Sequence, residues 1–332
     1  MAKNEQILPL LTVRDLSVQF KTDDGNVEAL DKVSFDIYPG QTVGVVGESG
    51  CGKSVTAYSI MRLLPRPMGM ISNGSIFFQG KNLLDLRTEE MQEIRGNEIG
   101  MIFQEPMNAL NPVQKIGDQM KEVFYLHQGI GDHQAWLKSV EMLEAVGIPS
   151  PENRMHEYPH QLSGGMRQRV VIAMAIACKP KIIIADEPTT ALDVTVQAQI
   201  LDLLNNLQKQ TGCSILLITH DLGVIAETCD EVCVMYAGRM VERGLIKELF
   251  ASPQHAYTQD LLGSIPKLVD SPKTKLKTIE GIVPGLSDLN EGCRYGSRSG
   301  RVHTQKHLSI QPDFLEVSSG HWVEACPVCT NL

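Results

Sequence analysis

The sequence lacks any apolar run long enough to cross a bilayer. Its longest runs, VVIAMAIAC and KIIIAD, are far shorter than the roughly 20 residues that a transmembrane helix needs. The first residues, MAKNEQILPLL, have neither the long apolar core nor the cleavage site of a secretory signal. These absences predict a protein that is cytosolic or peripheral to a membrane.

Excess positive charge and a disulfide pattern are also missing. The chain has 30 Lys and Arg residues against 39 Asp and Glu, a formal net charge of −9, so no global basic field predicts a nucleic-acid partner. Eight cysteines in 332 residues do not form the dense framework of a disulfide-stabilised domain. The cysteines in apolar surroundings, which we expect to be reduced, are Cys51, Cys178, Cys213, Cys229 and Cys233.

What the sequence does contain is a globular composition with alternating strand and helix signals. Apolar residues make up 42% of the chain, and its length suits one large domain with a smaller appendage. Helices are predicted from Lys53 to about Leu64 and over about 194 to 210, before Gly212. Strands are predicted at LLTVRDLSVQF, VSFDIY, QTVGVVG, SIFFQG, EIGMIFQ, KIIIAD, SILLIT and EVCVMYAG. This alternation predicts an α/β fold with a largely parallel sheet between helices.

Between residues 106 and 161 the pattern becomes helical. One face at helical spacing collects Ile116, Met120, Val123, Phe124 and His127, and KSVEMLEAVG predicts a second helix. Near residue 265 the composition shifts, and IPKLVDSPKTKLKTIEGIVPG predicts a linker or a loosely ordered β segment. The tail from residue 290 shows little periodicity.

The segment GESGCGKS at 47–54 follows a predicted strand and precedes a predicted helix, which is the context of a P-loop. Glycines allow backbone N–H groups to wrap around phosphates, while Lys53 reaches the β- and γ-phosphates and Ser54 ligates Mg²⁺. The predicted ATP-binding residues of this loop are Gly47, Glu48, Ser49, Gly50, Cys51, Gly52, Lys53, Ser54 and Val55.

Two carboxylates, Asp186 and Glu187, stand at the end of the buried strand in IIIADEP. One carboxylate suffices to hold the Mg²⁺ shell, and we assign this role to Asp186. The second carboxylate, Glu187, is therefore predicted to orient or deprotonate the attacking water. The alternative is that Glu187 only caps the turn before Pro188. A P-loop in the same chain favours the catalytic interpretation.

Gln104 and His220 end two further strands, MIFQ and SILLITH. Parallel strands present functional residues at their carboxyl ends, where the P-loop also lies, so both are predicted near the γ-phosphate, with Gln104 also a Mg²⁺ ligand. The alternative for each is a hydrogen-bonded strand-end residue without a catalytic role.

A second anion site is predicted at LSGGMRQR, where a helix over 163–177 begins. Ser163 caps this helix, and Gly164 and Gly165 leave N–H groups bare at its positive end. Since the P-loop already provides a phosphate site, this helix start raises the question of whose phosphate it holds.

The order of a P-loop, MIFQ, LSGG, ADEP, TALD and ITHD resembles the nucleotide-binding subunits of ABC transporters. This resemblance implies a P-loop ABC ATPase with an N-terminal antiparallel β part, a helical subdomain and a C-terminal extension. It also implies ATP and Mg²⁺ as cofactors, and a head-to-tail dimer with a second, identical or homologous, ATPase subunit. In that family each LSGG helix start caps the γ-phosphate held by the other subunit, which answers the question above. Phe20 is implied as the aromatic residue that stacks on adenine.

Longer segments, among them MIFQEPMNALNP, VMYAGRMVERG and YTQDLLGSIP, resemble the dipeptide and oligopeptide importer ATPases, as does Met166 after LSGG. That branch implies two integral membrane permease subunits, an extracytoplasmic substrate-binding protein and a position at the cytoplasmic face of the bacterial inner membrane. It implies a nucleotide-binding domain over 8–262, with the helical subdomain at 106–161 offering a groove to the permease, and an extension over 263–332.

Three alternatives to a peptide importer are considered. Nickel and other small-solute importers belong to the same branch, so the substrate stays open. Soluble ABC ATPases that act on DNA or ribosomes carry a long coiled coil or two cassettes, and this chain has neither sustained heptads nor a second P-loop. A nucleotide sensor without turnover is disfavoured by Glu187 and His220.

The tail departs from the importer pattern, in which four cysteines often bind an iron–sulfur cluster. Cys293 is present in GCRYGSRSG, but Ser299 and Lys306 stand at the second and third places, and Cys326 or Cys329 supplies the fourth. Four thiolates are the normal ligand set, so we expect no intact cluster. We favour a tail whose cysteines are reduced and bind no metal. The alternative is a metal site of the zinc type. Its ligands would be Cys293, Cys326, Cys329 and one of His303, His307 or His321.

Overall fold

The structure is a computed structural model that describes residues 8–23, 25–190, 192–265 and 278–331. Strands within these residues are β1 Leu11–Thr22, β2 Gly25–Ile37, β3 Thr42–Val46, β4 Gly69–Phe78, β5 Lys81–Asn82, β6 Ile99–Ile102, β7 Ile182–Asp186, β8 Ser214–Thr219, β9 Glu231–Tyr236, β10 Arg239–Leu245, β11 Phe314–Ser318 and β12 His321–Glu324. Helices are α1 Lys53–Ile60, α2 Thr88–Ile94, α3 Pro106–Ala109, α4 Ile116–Gln128, α5 Asp132–Ala145, α6 Pro151–Arg154, α7 Gly164–Ile176, α8 Val194–Thr211, α9 Leu222–Thr228, α10 Ile246–Ala251, α11 Ala256–Gly263 and α12 Gln305–Ser309.

The chain forms two compact units. The first unit contains Ile37–Thr42 and Asp85–Ile218, and the second contains the described parts of Pro9–Asp36, Val43–Leu84 and Thr219–Leu332. Among the described helices, none combines the length and the apolarity needed to span a membrane.

In the first unit, β6, β7 and β8 are parallel, as the alternation of the sequence predicts. Every residue of β7 is buried, which explains its uninterrupted apolar sequence. Helix α7 packs against this sheet so closely that a Cβ on Gly100 would lie 2.3 Å from the carbonyl oxygen of Ala175. Because β6 and β7 run in parallel, their carboxyl ends lie at the same edge of the sheet.

The helical region of the first unit confirms the predicted amphipathic face. Ile116, Met120 and Phe124 of α4 are buried, and Phe124 packs with Ala135 of α5 and with Val123. The opposite face leaves Leu126 71% exposed. The predicted apolar face of α4 therefore packs against α5.

The second unit contains an antiparallel sheet of order β2-β1-β4-β5. Its other strands begin with β3 and β9, which are parallel, and continue through β10 and β12 to β11, which are antiparallel pairs. The N-terminal antiparallel part and the parallel core are therefore confirmed. The strands β11 and β12 of the tail were not predicted, because their short segments show no clear alternation.

Helix α1 is shorter than predicted, since it ends at Ile60 and not near Leu64. Arg62 has a left-handed backbone (φ 52°), and the N–H of Leu63 donates to the carbonyl of Tyr58 at 2.7 Å, which closes the helix before Pro65. Of the predicted linker, residues 266–277 lie outside the described residues.

Candidate functional site

The P-loop of the second unit joins β3 to α1, so the predicted strand–loop–helix context is confirmed. Two of its glycines are required by close backbone packing. A Cβ on Gly47 would lie 2.2 Å from the carbonyl oxygen of Met235, and a Cβ on Gly52 would lie 2.6 Å from Cδ2 of Leu30. Gly52 also has a left-handed φ of 103°, which glycine adopts without strain.

The Lys53 ammonium lies over its own loop and is 5% exposed. Its Nζ donates to the carbonyl oxygens of Gly47 at 2.8 Å and Glu48 at 3.0 Å. Burial raises the pKa of the neighbouring Cys51 thiol, so this cysteine is a packing residue and not a thiolate. The loop therefore presents one fixed positive charge at the start of α1.

Glu48 of the P-loop is held by the tail, a contact that the sequence did not predict. Arg298 donates from Nη1 to Oε2 of Glu48 at 2.7 Å and from Nη2 to Oε1 at 3.0 Å, a two-pronged arrangement. The N–H of Glu48 donates to the hydroxyl of Tyr257 at 3.0 Å. Glu48 and Arg298 are 250 positions apart, so no local spacing signals the pair.

In the first unit, Gln104 and Glu187 meet beyond the ends of β6 and β7. The Glu187 carboxylate accepts from Nε2 of Gln104 at 3.0 Å and from the hydroxyl of Thr190 at 2.8 Å. Its backbone is left-handed (φ 46°), a costly conformation for a non-glycine residue that is concentrated at functional sites. Asp186, the last residue of β7, is fully buried. The two carboxylates thus occupy different environments, one enclosed and one partly exposed.

The LSGG segment is an exposed helix start, and the prediction of a serine cap is confirmed. Ser163 has an extended backbone, and its hydroxyl accepts from the N–H of Met166 at 3.3 Å. Ser163 and Gly164 are exposed, while a Cβ on Gly165 would lie 3.0 Å from Cγ1 of Val196. The N-terminal end of α7 is therefore accessible from outside the subunit.

Phe20 and His220 lie in the second unit, as the P-loop does, whereas Gln104, Asp186 and the LSGG segment lie in the first. Phe20 is half-buried on β1, opposite Gly69 of β4. His220 is exposed directly after β8.

Three cysteines of the tail gather around one histidine. The sulfurs of Cys293 and Cys329 are 3.7 Å apart, and Nε2 of His303 lies 3.3 Å from the Cys329 sulfur and 3.7 Å from that of Cys326. Hydrogen bonds with Cys293 and Cys329 hold the pKa of the Cys326 thiol far below its usual value. Of the histidines left open by the sequence, the structure therefore selects His303.

A buried carboxylate at Glu242 on β10 also escaped sequence analysis. It is fully buried and accepts from the N–H groups of Gln254 at 2.7 Å and His255 at 3.0 Å, while Nε2 of His321 lies 2.8 Å from it. The hydrophobic pattern of the sequence does not indicate such a residue, because its partners come from two other segments of the chain. The carboxylate ties β10, the segment before α11 and β12 together.

Replacing Glu242 by alanine is expected to lower the free energy of unfolding by about 3 kcal/mol, because the buried N–H of His255 and the part-buried N–H of Gln254 lose their acceptor. Chemical denaturation of the purified variant measures this loss. Glu227→Ala on the exposed face of α9 is the matched control and should change stability by less than about 0.5 kcal/mol. Equal stability of both variants would contradict the structural role of Glu242.

Comparison with protein families gives two matches. The model described as ABC transporter matches residues 30–190, and the model described as oligopeptide/dipeptide transporter, C-terminal region, matches residues 241–305. The first covers the P-loop, the LSGG segment and Glu187. The second covers Cys293 and His303 and ends before Cys326.

Similar curated proteins include two from Bacillus subtilis (strain 168). The oligopeptide transport ATP-binding protein OppD is 49% identical over 320 residues, which is 96% of this chain and 89% of that protein. The dipeptide transport ATP-binding protein DppD is 52% identical over 289 residues, 87% of this chain and 86% of that protein.

Similar solved structures include the post-hydrolysis dimer of the ATP-binding cassette MJ0796 bound to ADP and Pi. It has a TM-score of 0.64 and 26% identity, covering 71% of this chain and 98% of that one. CbiO1 from Clostridium perfringens, part of the ABC transporter complex cbiONQ, has a TM-score of 0.61 and 29% identity, covering 74% of this chain and 91% of that one.

Proposed function

The chain belongs to the ABC transporter family, in its oligopeptide and dipeptide branch, and we propose how its residues bind and hydrolyse ATP to drive peptide import. It is an ATP-binding and ATP-hydrolysing subunit.

Lys53 and the P-loop N–H groups hold the β- and γ-phosphates of ATP in this proposal. Phe20 stacks on the adenine. Ser54, Gln104 and Asp186 offer the oxygen ligands that Mg²⁺ prefers, and the ion would neutralise charge on the phosphates. Full burial of Asp186 suits a residue whose charge is matched by a cation.

Glu187 orients and deprotonates the attacking water. The observation that carries this assignment is its partly exposed carboxylate, held by Gln104 and Thr190 on a left-handed backbone. Both donors reach the same oxygen, Oε2, so Gln104 and Thr190 fix the orientation of the carboxylate. His220, exposed at the end of β8, is proposed to contact the γ-phosphate.

Ser163, Gly164 and Gly165 act on the ATP of a second ATPase subunit. The exposure of Ser163 and Gly164 at the start of α7 supports this, since an anion at a helix N-terminus meets bare N–H groups and the positive end of the dipole. The similar cassette MJ0796 is a dimer bound to ADP and Pi in its post-hydrolysis state, which supports pairing of cassettes. The second subunit is either a further copy or a homologue.

Two permease subunits are proposed to contact the helical subdomain at 106–161, at the cytoplasmic face of the inner membrane. Val113 is 79% exposed and Leu126 71% exposed, so apolar side chains remain outside the subdomain's own core. An extracytoplasmic binding protein delivers the peptide. The nucleotide-binding domain is proposed over 8–262 and the extension over 263–332.

Transport by the assembled complex tests the peptide assignment. The chain is co-expressed with its permease subunits and reconstituted into liposomes with the binding protein and enclosed Mg-ATP. We expect uptake of a labelled dipeptide or oligopeptide that stops when ATP is omitted. Uptake of ⁶³Ni²⁺ without peptide uptake would replace peptide by nickel, while retaining the ATPase assignment.

Replacing Lys53 by alanine is expected to weaken ATP binding about 10- to 100-fold, because charge-assisted bonds to phosphate are lost. Titration with a fluorescent ATP analogue measures the change. Since Lys53 also binds two loop carbonyls, the melting temperature of the variant must be compared with that of the wild type. Lys209→Ala, on the last turn of α8, is a control that should bind ATP normally. Unchanged affinity in a folded Lys53 variant would contradict the phosphate contact.

A further inference from the structure

The tail brings four metal-ligating groups together within the second unit. Sulfurs of Cys293, Cys326 and Cys329 and a ring nitrogen of His303 all lie within 4.8 Å of one another. The three cysteines are fully buried. Three buried thiols and a half-buried imidazole packed this closely form the donor set of a structural zinc site.

The spacing of the donors fits one ion. Zinc bonds of about 2.3 Å to sulfur and 2.0 Å to nitrogen in a tetrahedron place two sulfurs about 3.8 Å apart, and a sulfur and a nitrogen about 3.5 Å apart. The structure has 3.7 Å between the sulfurs of Cys293 and Cys329, and 3.3 and 3.7 Å from His303 to the sulfurs of Cys329 and Cys326. A single cation at the centre would contact all four groups.

The histidine is oriented for metal binding. Its Nδ1 lies 3.1 Å from the carbonyl oxygen of Arg301, so the N–H on that nitrogen has an acceptor and Nε2 keeps its lone pair toward the sulfurs. A backbone carbonyl or carboxylate in this position is the usual outer partner of a metal-binding histidine. His307 faces a different partner, because its Nδ1 accepts from the N–H of Thr304 at 3.3 Å.

The residues do not fit the iron–sulfur cluster that the family resemblance implies. A four-iron cluster takes one thiolate per iron, and its ligands surround a cube and are spaced more widely than around a single ion. Here Ser299 donates to the carbonyl of Gly296 at 3.0 Å and accepts from the N–H of Arg301 at 3.2 Å, so it is occupied in a turn. Lys306 is exposed on α12.

We propose that Cys293, His303, Cys326 and Cys329 bind one structural Zn²⁺ ion. This replaces the metal-free tail favoured by the sequence alone. Four protein ligands close the coordination sphere, so the ion holds the chain together and does not activate water. It joins the turn at 293, the loop at 303 and the C-x-x-C segment at 326–329.

The ion also fixes the loop between its first two ligands, which carries Arg294 and Arg298. Arg294 is 5% exposed and donates to Asp31 at 3.0 Å and to the carbonyl of Ala237 at 2.6 Å. Arg298 binds Glu48 of the P-loop. Zinc binding therefore stabilises the arginine that orders the nucleotide loop.

Metal analysis of the full chain tests the proposal. Protein purified anaerobically without an affinity metal is measured for zinc, iron and acid-labile sulfide. We expect about one zinc per chain, no stoichiometric iron and no brown absorption. About four irons with matching sulfide, or a folded protein without metal that fails to take up added Zn²⁺, would overturn the proposal.

A pair of histidine variants tests the ligand assignment. His303→Ala is expected to weaken zinc binding more than 100-fold in competition with a chromophoric chelator, while His307→Ala, four positions away, should bind zinc as the wild type does. Cobalt substitution adds a second readout, since cobalt–thiolate absorption should change in His303→Ala only. If both variants bind zinc equally, His303 is not a ligand.

Chelation of the wild-type protein keeps the test independent of variant folding. Removing zinc should lower the melting temperature, and added Zn²⁺ should restore it. The matched control is Cys213→Ser, which changes a buried cysteine outside the cluster. This variant should bind zinc as the wild type does. Complete metal removal with no change in melting temperature would contradict a structural ion.

Discussion

ATP turnover is expected to fall about 10²- to 10³-fold when Glu187 is replaced by glutamine, while ATP binding persists. Glutamine has nearly the same shape, and its Oε1 still accepts from Gln104 and Thr190. Glutamine lacks the basic carboxylate that takes the proton from the attacking water, whereas Lys53 and the P-loop are unchanged. The measurement is multiple-turnover phosphate release by the assembled complex, beside ATP binding.

Glu141→Gln on the exposed face of α5 is the matched control and should hydrolyse ATP at the wild-type rate. Gln104→Ala retains the Glu187 carboxylate but removes one hydrogen bond to it and a proposed Mg²⁺ ligand, so its turnover is measured at saturating Mg²⁺. We expect a smaller loss than in Glu187→Gln. Turnover near the wild-type rate in Glu187→Gln would assign the water-activating role to another residue.

The second large effect is expected for Ser163→Arg, which should abolish ATP-driven pairing and reduce turnover by about 10²-fold or more. Arginine places bulk at the exposed start of α7 and removes the hydroxyl that caps the helix. ATP binding to the isolated chain should survive, because Ser163 is proposed to contact the partner's nucleotide. Sedimentation with ATP, in a Glu187→Gln background that slows hydrolysis, measures pairing directly.

Ser163→Ala distinguishes the cap from the interface. It loses the same hydroxyl without added bulk, and we expect about 1 kcal/mol lower stability but partial pairing. Loss of nucleotide binding by the isolated, folded Ser163→Arg chain would place Ser163 beside its own ATP and overturn the two-subunit arrangement.

The parts of the site that sequence predicted are local in the chain. The P-loop is recognisable because Gly47 and Gly52, which pack too closely to other segments to carry a side chain, lie within one short turn. Ser163 is recognisable because its hydroxyl caps the N–H of Met166, only three residues later. The buried face of α4 follows from periodicity for the same reason. Each of these features is determined within about ten residues.

The parts that sequence missed depend on distant partners. Nothing near Glu48 indicates Arg298, and nothing near Glu242 indicates His321. The choice of His303 over His307 and His321 is fixed only when the tail folds around the three sulfurs. Helix α1 was predicted too long because the left-handed Arg62, which is not a glycine, gives no sequence signal.

The pairing of Asp31 with Arg294 has a consequence for synthesis of the protein. These residues are 263 positions apart, and Asp31 also pairs with Arg239, 208 positions away. At about 5 to 20 residues per second, a ribosome adds Arg294 roughly 13 to 50 s after Asp31. Until Arg239 is added, roughly 10 to 40 s after Asp31, the carboxylate on β2 has neither arginine beside it, and Arg294 is missing for the whole interval. The rate of translation, and not the pairing of β1 with β2, therefore sets the earliest moment at which the second unit can close.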